Sequence, residues 1–309
     1  MRMTAARAVG RQSQRCPTVH MGDKMEKAIT GNTSLYCIIG MPAHHSLSPT
    51  IHNAMYKKLG MDAVFLAFDV APEGLKSAVY GMEAYGIKGM TLTSPHKQEV
   101  MKYMDHIDPL AKELGAVNGI VIKNGKFYGY NTDEPGSIMS LERHGMDINA
   151  GYALFGAGGA ARAIAFGLAH KGVKSLYIIN RTLEHAEELK SDLQKRFPKM
   201  DIETAKLGSK KAEIAIKNSK YILNATNITL ENSKDTPVPA RLLRKDMVVF
   251  DANYVPLKNK LLSDAKRKGC ITINGLELLV YNQAVAFKLF TGREPDIKTM
   301  MEAANRAAH

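Results

Sequence analysis

The sequence predicts a two-domain α/β fold with parallel sheet structure and a cleft between the domains. Three observations carry this expectation. The chain has 309 residues, enough for roughly two domains of about 150 residues each. From about Ser34 onward, apolar runs of strand length alternate with segments of helical period. Strands that alternate with helices in this way imply parallel sheets with right-handed crossovers.

Taken in order, Ser34–Gly40 (SLYCIIG) is a continuous apolar run bounded by Asn32-Thr33 and Met41-Pro42, which reads as a buried strand. Pro49–Leu59 is a helix with Ile51, Ala54, Met55 and Leu59 on one face. Val64–Val70 is a second strand, Leu75–Tyr85 a second helix, Gly89–Leu92 a third strand and Pro95–Met104 the helix after it. Val117–Ile122 and Lys126–Tyr130 flank Asn124-Gly125, a strong hairpin signal. A second series follows: helix Ser137–His144, strand Tyr152–Phe155, helix Ala160–His170, strand Ser175–Ile179 and helix Glu184–Arg196. Strands at Tyr221–Asn224 and Val248–Phe250 come next, and helices are expected after residue 276.

Composition narrows the class. Hydrophobic residues make up 45% and charged residues 23%, the profile of a globular chain. No apolar run approaches the ~20 residues that span a bilayer, so no membrane partner is expected. Three scattered cysteines without a CxxC spacing exclude a disulfide framework and favour a reducing compartment, the cytoplasm. Lys and Arg number 42 against 30 Asp and Glu, a net charge of +12, which suits an anionic small molecule as well as a nucleic acid. Part of it sits in a basic leader, residues 1–28, expected to be disordered. Its first 20 residues hold Arg2, Arg7, Arg11 and Arg15 and no acid. That is the composition of a targeting segment, and Met21 and Met25 equally allow a later start. Without interleaved aromatics, the leader does not read as a nucleic-acid site. His44, His45 and His52 lack the spacing of a metal site, and none is expected.

The run Ala153-Leu154-Phe155 leads into Gly156-Ala157-Gly158-Gly159-Ala160-Ala161 and then a helical pattern. A strand, a GxGxxA turn and a helix form a Rossmann-like dinucleotide site. Gly156 makes the turn, Gly158 lets the backbone approach a pyrophosphate, and Ala161 allows close helix packing. The next strand ends in Asn180-Arg181-Thr182. Where an NAD site places an acid for the ribose 2′-hydroxyl, this chain offers a guanidinium and a hydroxyl to a 2′-phosphate, so NADP is the expected cofactor.

Further short stretches complete a pattern. They are Ser46-Leu47-Ser48-Pro49, the run GMTLTSPHK at 89–97, Gly115-Ala116-Val117-Asn118 and Gly129-Tyr130-Asn131-Thr132-Asp133. Later come Asn224-Ala225-Thr226, the run DANYVP at 251–256, and Gly275 to Gln283. In order and spacing, residues 34–293 resemble the shikimate dehydrogenase family, including its quinate/shikimate branch. The resemblance implies an N-terminal α/β substrate domain over 29–132, completed by C-terminal helices over 276–309. It also implies a Rossmann-like NADP-binding domain over 133–275. The implied activity is reversible, NADP-dependent reduction of 3-dehydroshikimate to shikimate, an aromatic amino acid (chorismate) pathway step. The partner is that small molecule, and the chain acts as monomer or homodimer. Two alternatives stand beside it: a quinate/shikimate or aminoshikimate dehydrogenase, and a non-enzymatic relative that senses the same ligand.

The resemblance also implies site roles. Lys97 and Asp133 are the proton-handling pair. Ser46, Ser48 and Tyr254 hold the substrate carboxylate, while Thr91, Thr93, Asn118 and Gln283 face the ring hydroxyls. Gly156, Ala157, Gly158, Gly159, Ala160, Asn180, Arg181, Thr182, Thr226 and Gly275 belong to the cofactor. Local chemistry bears on several of these. With Ser94 as N-cap and Pro95 as first helical residue, Lys97 falls in a helical first turn, where the dipole disfavours a cation and favours proton release. Thr132-Asp133 is open to an ordinary capping explanation, and so is Ser48 before Pro49; Ser46 is not. Thr91 stands where the family usually has Asn, Gly119 where it has Thr, Glu134 where it has Gly, Asn227 where it has Pro or Ser, and Leu278 where it has Met. These departures bear on the substrate, not on the reaction type.

Overall fold

The structure is a computed structural model that describes residues 28–232 and 234–308. All but the last residue of the expected leader lie outside this range. Among the described residues, the first half runs β1 (Ser34–Gly40), α1 (Ser48–Lys58), β2 (Ala63–Asp69), α2 (Leu75–Ala84), β3 (Gly89–Leu92), β4 (His106–Ile107) and α3 (Pro109–Leu114). It closes with β5 (Gly119–Lys123), β6 (Lys126–Tyr130) and α4 (Asp133–Arg143). These strands form one sheet in the order β2-β1-β3-β5-β6-β4. β1, β2 and β3 are parallel, as expected from the alternation. β5 runs antiparallel to both β3 and β6. The sheet is therefore mixed, because Asn124 and Gly125, both at positive φ (52° and 70°), close the predicted hairpin and reverse the chain.

The second half runs β7 (Gly151–Phe155), α5 (Gly159–His170), β8 (Ser175–Asn180), α6 (Leu183–Arg196), β9 (Asp201–Lys206), α7 (Lys210–Asn218) and β10 (Tyr221–Asn224). Then come α8 (Ile228–Glu231), β11 (Val248–Asp251), α9 (Lys260–Arg267), β12 (Ile271–Ile273), α10 (Gly275–Thr291) and α11 (Ile297–Ala307). Its sheet has the order β12-β11-β10-β7-β8-β9 and is parallel throughout. The order reverses at β7, which places the switch-point crevice at the carboxyl ends of β7 and β10. Every residue of β10 and β11 is buried, the signature of a sheet covered on both faces.

Each sheet has a core on either side. Ile38, Tyr56, Phe65 and Phe287 fill one face of the first sheet; Ile39, Leu92 and Ile120 fill the other. In the second sheet, Leu154, Ile178 and Phe250 pack under α5 and α6, and Phe155, Ile179 and Val249 pack on the opposite side. α4 packs between α10 and α5, so the chain returns after β12 to lay α10 and α11 against α1 and the first sheet. Glu134, one of the departures, is buried on α4 and pairs with His170 Nδ1 at the end of α5, 3.2 Å away.

Two local expectations are corrected. Pro95–Met104 is not an α-helix: residues 94–98 form turns and Glu99–Tyr103 a short 3₁₀ segment. The Lys97 carbonyl that would serve an α-helix accepts from Val117 N–H instead, at 2.8 Å. The Ser94-Pro95 peptide is cis. Lys97 therefore has no helical first turn around it, and the dipole argument for it falls. Ser48 is not the N-cap of α1 either; Leu47 holds that position, and Ser48 N–H donates to Ser46 Oγ at 3.2 Å. The hydroxyl that ties down the helix entrance belongs to Ser46.

Candidate active site

A cavity of about 190 Å³ lies where β1, β3 and the entrance of α1 meet α4 and α10. That volume suits one small ring, well under the roughly 300–1,000 Å³ of a drug-sized ligand. Ser46, Ser48, Thr91, Thr93 and Asn118 line it from the first sheet and its loops. Tyr254 reaches it from the loop after β11, and Gln283 from α10. Lys97 and Asp133 line it as well, so every expected catalytic and substrate residue borders this one cavity.

The polar geometry follows from local folding. Lys97 Nζ donates to Asp133 Oδ2 at 2.6 Å, and both side chains are partly exposed to the cavity. Asn131 Oδ1 accepts from the N–H groups of Asp133 (2.9 Å) and Glu134 (3.3 Å) and so starts α4. Thr132 holds the N-cap position without a side-chain bond and Asn131 Oδ1 serves the first amides, so the Asp133 carboxylate is not spent on capping and faces Lys97. Its second oxygen, Oδ1, accepts from Asn282 Nδ2 at 2.9 Å. Asn282 was absent from the sequence reading. The available signal was an amide pair, Asn282-Gln283, in an otherwise apolar helical stretch, three and four residues after Leu279, which lines the cavity too.

Elsewhere the hydrogen bonds show which groups are committed. Asn118 Oδ1 accepts from Thr132 N–H at 2.8 Å, leaving its amide nitrogen for the cavity. Ser46 and Ser48 hydroxyls lie 3.1 Å apart. Asp69 Oδ1 accepts from the N–H groups of Ala43 (2.5 Å) and His44 (2.9 Å), fixing the loop that carries Ser46. The Ala43 amide foremost, then the His44 ring at 2.5 Å from Oδ2, pull the Asp69 carboxyl down to about 2. Burial raises the Tyr254 phenol, which keeps it protonated and able to donate. Thr91 Oγ1 and Asn282 Oδ1 are buried without any partner among the described residues. An unpaired buried polar atom costs on the order of 1–3 kcal/mol; Thr91 and Asn282 both line the cavity, while Asn282 Oδ1 itself packs against Gly136 of α4.

A second cavity lies at the switch point, lined by Gly156, Ala157, Gly158, Asn180, Arg181 and Thr226. Gly156 sits at φ +109°, and a Cβ there would come within 2.8 Å of the Ala225 carbonyl oxygen, so only glycine makes this turn. A Cβ on Gly158 would meet nothing within 4 Å; the backbone lies open to a close approach. No side chain caps α5, which leaves its first-turn N–H groups, Gly159 and Ala160 among them, for an anion. Arg181 is exposed and makes no ion pair among the described residues. Thr182 is the N-cap of α6, and its hydroxyl is not spent on the cap. Asn180 Nδ2 donates to Thr182 O at 2.8 Å and shapes the turn. These residues fit a phosphorylated dinucleotide. Gly275 does not line this cavity: it begins α10 where a Cβ would lie 2.3 Å from the Ala252 carbonyl oxygen, a packing requirement.

Under this cavity lies a buried network. Asp251, fully inaccessible, accepts from Asn224 Nδ2 (3.0 Å), Asn253 N–H (3.0 Å) and Asn259 Nδ2 (3.0 Å), while burial holds its carboxyl above the ordinary value. Asn224 Oδ1 in turn accepts from the Thr226 hydroxyl at 2.7 Å. The motif asparagines thus hold the loops after β10 and β11, which deliver Thr226 to one cavity and Tyr254 to the other. Among the described residues, no group of three or more His, Cys, Asp and Glu could hold a metal ion, and no helix is long and apolar enough to cross a membrane.

The sequence model of the shikimate dehydrogenase substrate binding domain matches residues 38–120, and that of shikimate / quinate 5-dehydrogenase matches residues 144–251. The chain is 44% identical over 278 residues to a shikimate dehydrogenase (NADP(+)) of Methanocaldococcus jannaschii, covering 89% of this chain and 97% of the relative. A solved shikimate dehydrogenase in complex with NADP+ superposes with a TM-score of 0.86 at 41% identity, covering 93% of this chain and all of the other. The Listeria monocytogenes shikimate 5-dehydrogenase, solved with shikimate and NAD, gives 0.84 at 34% identity over 91% of this chain and 99% of its own.

Proposed function

The chain belongs to the shikimate dehydrogenase family, and on that premise we propose that it interconverts 3-dehydroshikimate and shikimate with NADP(H), a step of aromatic amino acid biosynthesis. The observation that carries the proposal is the Lys97–Asp133 pair, 2.6 Å apart, on the wall of a ring-sized polar cavity. Residues 29–132 with 276–309 form the substrate unit, and residues 133–275 the cofactor unit.

The first-turn amides of α5 with Gly156, Ala157 and Gly158 would receive the pyrophosphate of NADP, and Arg181 with Thr182 its 2′-phosphate. When bound, NADPH supplies the reducing hydride. The chain's own residues do the rest. Ser46, Ser48 and the Tyr254 hydroxyl bind the ring carboxylate as neutral donors. Thr91, Thr93, Asn118 and Gln283 meet the ring hydroxyls. In the direction of reduction, Lys97 Nζ gives a proton to the ketone oxygen as that oxygen gains charge; in oxidation it takes the proton back. Asp133 Oδ2 holds the ammonium in line, and Asn282 fixes the carboxylate through Oδ1. All of these groups come from one chain, so the site asks for no residue of a second copy; we read the chain as a monomer or homodimer that acts in the cytoplasm on a small-molecule substrate.

A second reading rests on Thr91. Its hydroxyl is buried and unpaired, and it is shorter than the family's usual Asn, which leaves room for the extra ring hydroxyl of quinate. Steady-state kinetics with shikimate and quinate test the choice. The proposal expects the higher kcat/KM for shikimate; a preference for quinate would favour the second reading.

A further inference from the structure

The substrate cavity is backed by a side-chain pair that the proton chemistry does not use. His52 of α1 is fully buried, its ring stacked on Phe65 with centroids 4.3 Å apart and flanked by Tyr56 and Phe287. His52 Nε2 lies 3.1 Å from Oε1 of Gln283 on α10. Gln283 is also buried and lines the cavity, and its oxygen is the atom that meets His52.

The surroundings of the ring decide which nitrogen carries the proton. His52 Nδ1 has no hydrogen-bond partner among the described residues. A proton on Nδ1 would be a buried donor without an acceptor, which is rarer and costlier than a bare ring nitrogen. The proton therefore belongs on Nε2, and an Nε2–H requires an acceptor, the amide oxygen of Gln283. That orientation leaves the Gln283 NH₂ group for the cavity. Burial holds the imidazole down to about 3, so it stays neutral and keeps this role across the working pH range.

We propose that His52 is a positioning residue that locks the Gln283 amide with its N–H groups toward the substrate, so that position 283 reads a hydrogen-bond acceptor on the ring. This rests on the cavity being the shikimate site. The wall then presents a fixed donor at Gln283 beside Thr91 and Thr93, whose hydroxyls can donate or accept. A ring substituent that can only donate would meet the wrong polarity at Gln283.

Calorimetric titration with shikimate tests the proposal. His52→Phe keeps the stacked ring and removes the donor; it should weaken shikimate binding about threefold to thirtyfold and raise KM while sparing kcat. In a Gln283→Ala background the same substitution should change binding by less than about twofold. Equal weakening in both backgrounds would overturn the proposal, since His52 would then act on the fold and not through Gln283. Failure of the unaltered protein to bind shikimate would instead overturn the reading of the cavity. Should His52→Phe not fold, nitrogen NMR of the unaltered protein still decides: a proton on Nε2 is expected, and one on Nδ1 would overturn the proposal.

Discussion

At the scale of single residues, few groups near Asp133 are free. Asn131 Oδ1 takes the first amides of α4, Asn282 takes one carboxylate oxygen, and Lys97 is left with the other. Lys97→Ala should therefore lower kcat by roughly 10²–10⁴ with little change in KM; retention of more than half the activity would remove it from the chemistry. His52 gives a prediction for stability. Its folded pKa of about 3 lies below the ordinary 6.5, so between those values the unfolded chain binds a proton that the folded chain refuses. Stability is then full above pH 6.5 and falls as the pH drops, by up to about 1.4 kcal/mol per pH unit from this one group. Denaturant melts from pH 7 to 4 should show a shallower acid loss in His52→Phe than in the unaltered protein. Lys97 and Asp133 were legible in the sequence because a motif fixed their positions. Asn282 and the His52–Gln283 pair were not: their partners lie 149 and 231 residues away, and no local pattern encodes such a contact.

At the scale of elements, nine of the twelve described strands and the hairpin were legible because apolar runs and the Asn-Gly turn are local signals; β4, β9 and β12, short or polar strands at sheet edges, were not. The segment after Pro95 was not, because tertiary hydrogen bonding to Val117 overrides a good capping pattern. Helix ends depend on which side chain reaches a free N–H: at the entrance of α1 that side chain is Ser46 and not Ser48, and at α4 it is Asn131, one residue before the N-cap Thr132. The crossing of α4 and α10 offers a test at this scale. A Cβ on Gly136 would lie 1.8 Å from Asn282 Oδ1, so Gly136→Ala should push Asn282 off Asp133 and cut kcat/KM about tenfold or more. An unaffected variant would show that the Asn282 contact is not needed. At the turn after β8, Arg181→Ala should raise KM for NADP+ roughly 10- to 150-fold, the weight of a charge-assisted contact, and leave NAD+ nearly unchanged. Equal losses for both cofactors would show that Arg181 does not read the 2′-phosphate.

At the scale of the whole molecule, the chain passes from the first sheet to the second at α4 and returns at α10. Lys97 and Asp133 come from the first pass, Tyr254 from the second sheet and Asn282 from the return, and the substrate cavity is assembled only when all three are in place. The switch-point cavity is built on the second sheet alone. The two cavities thus sit on a scaffold that the chain crosses twice. The measurement that tests this most directly is the initial rate of NADPH formation when the purified protein receives shikimate and NADP+. Rapid turnover that exceeds the rate with NAD+ is the expected result. No NADPH above the rate without shikimate, under conditions where the protein is folded, would contradict it.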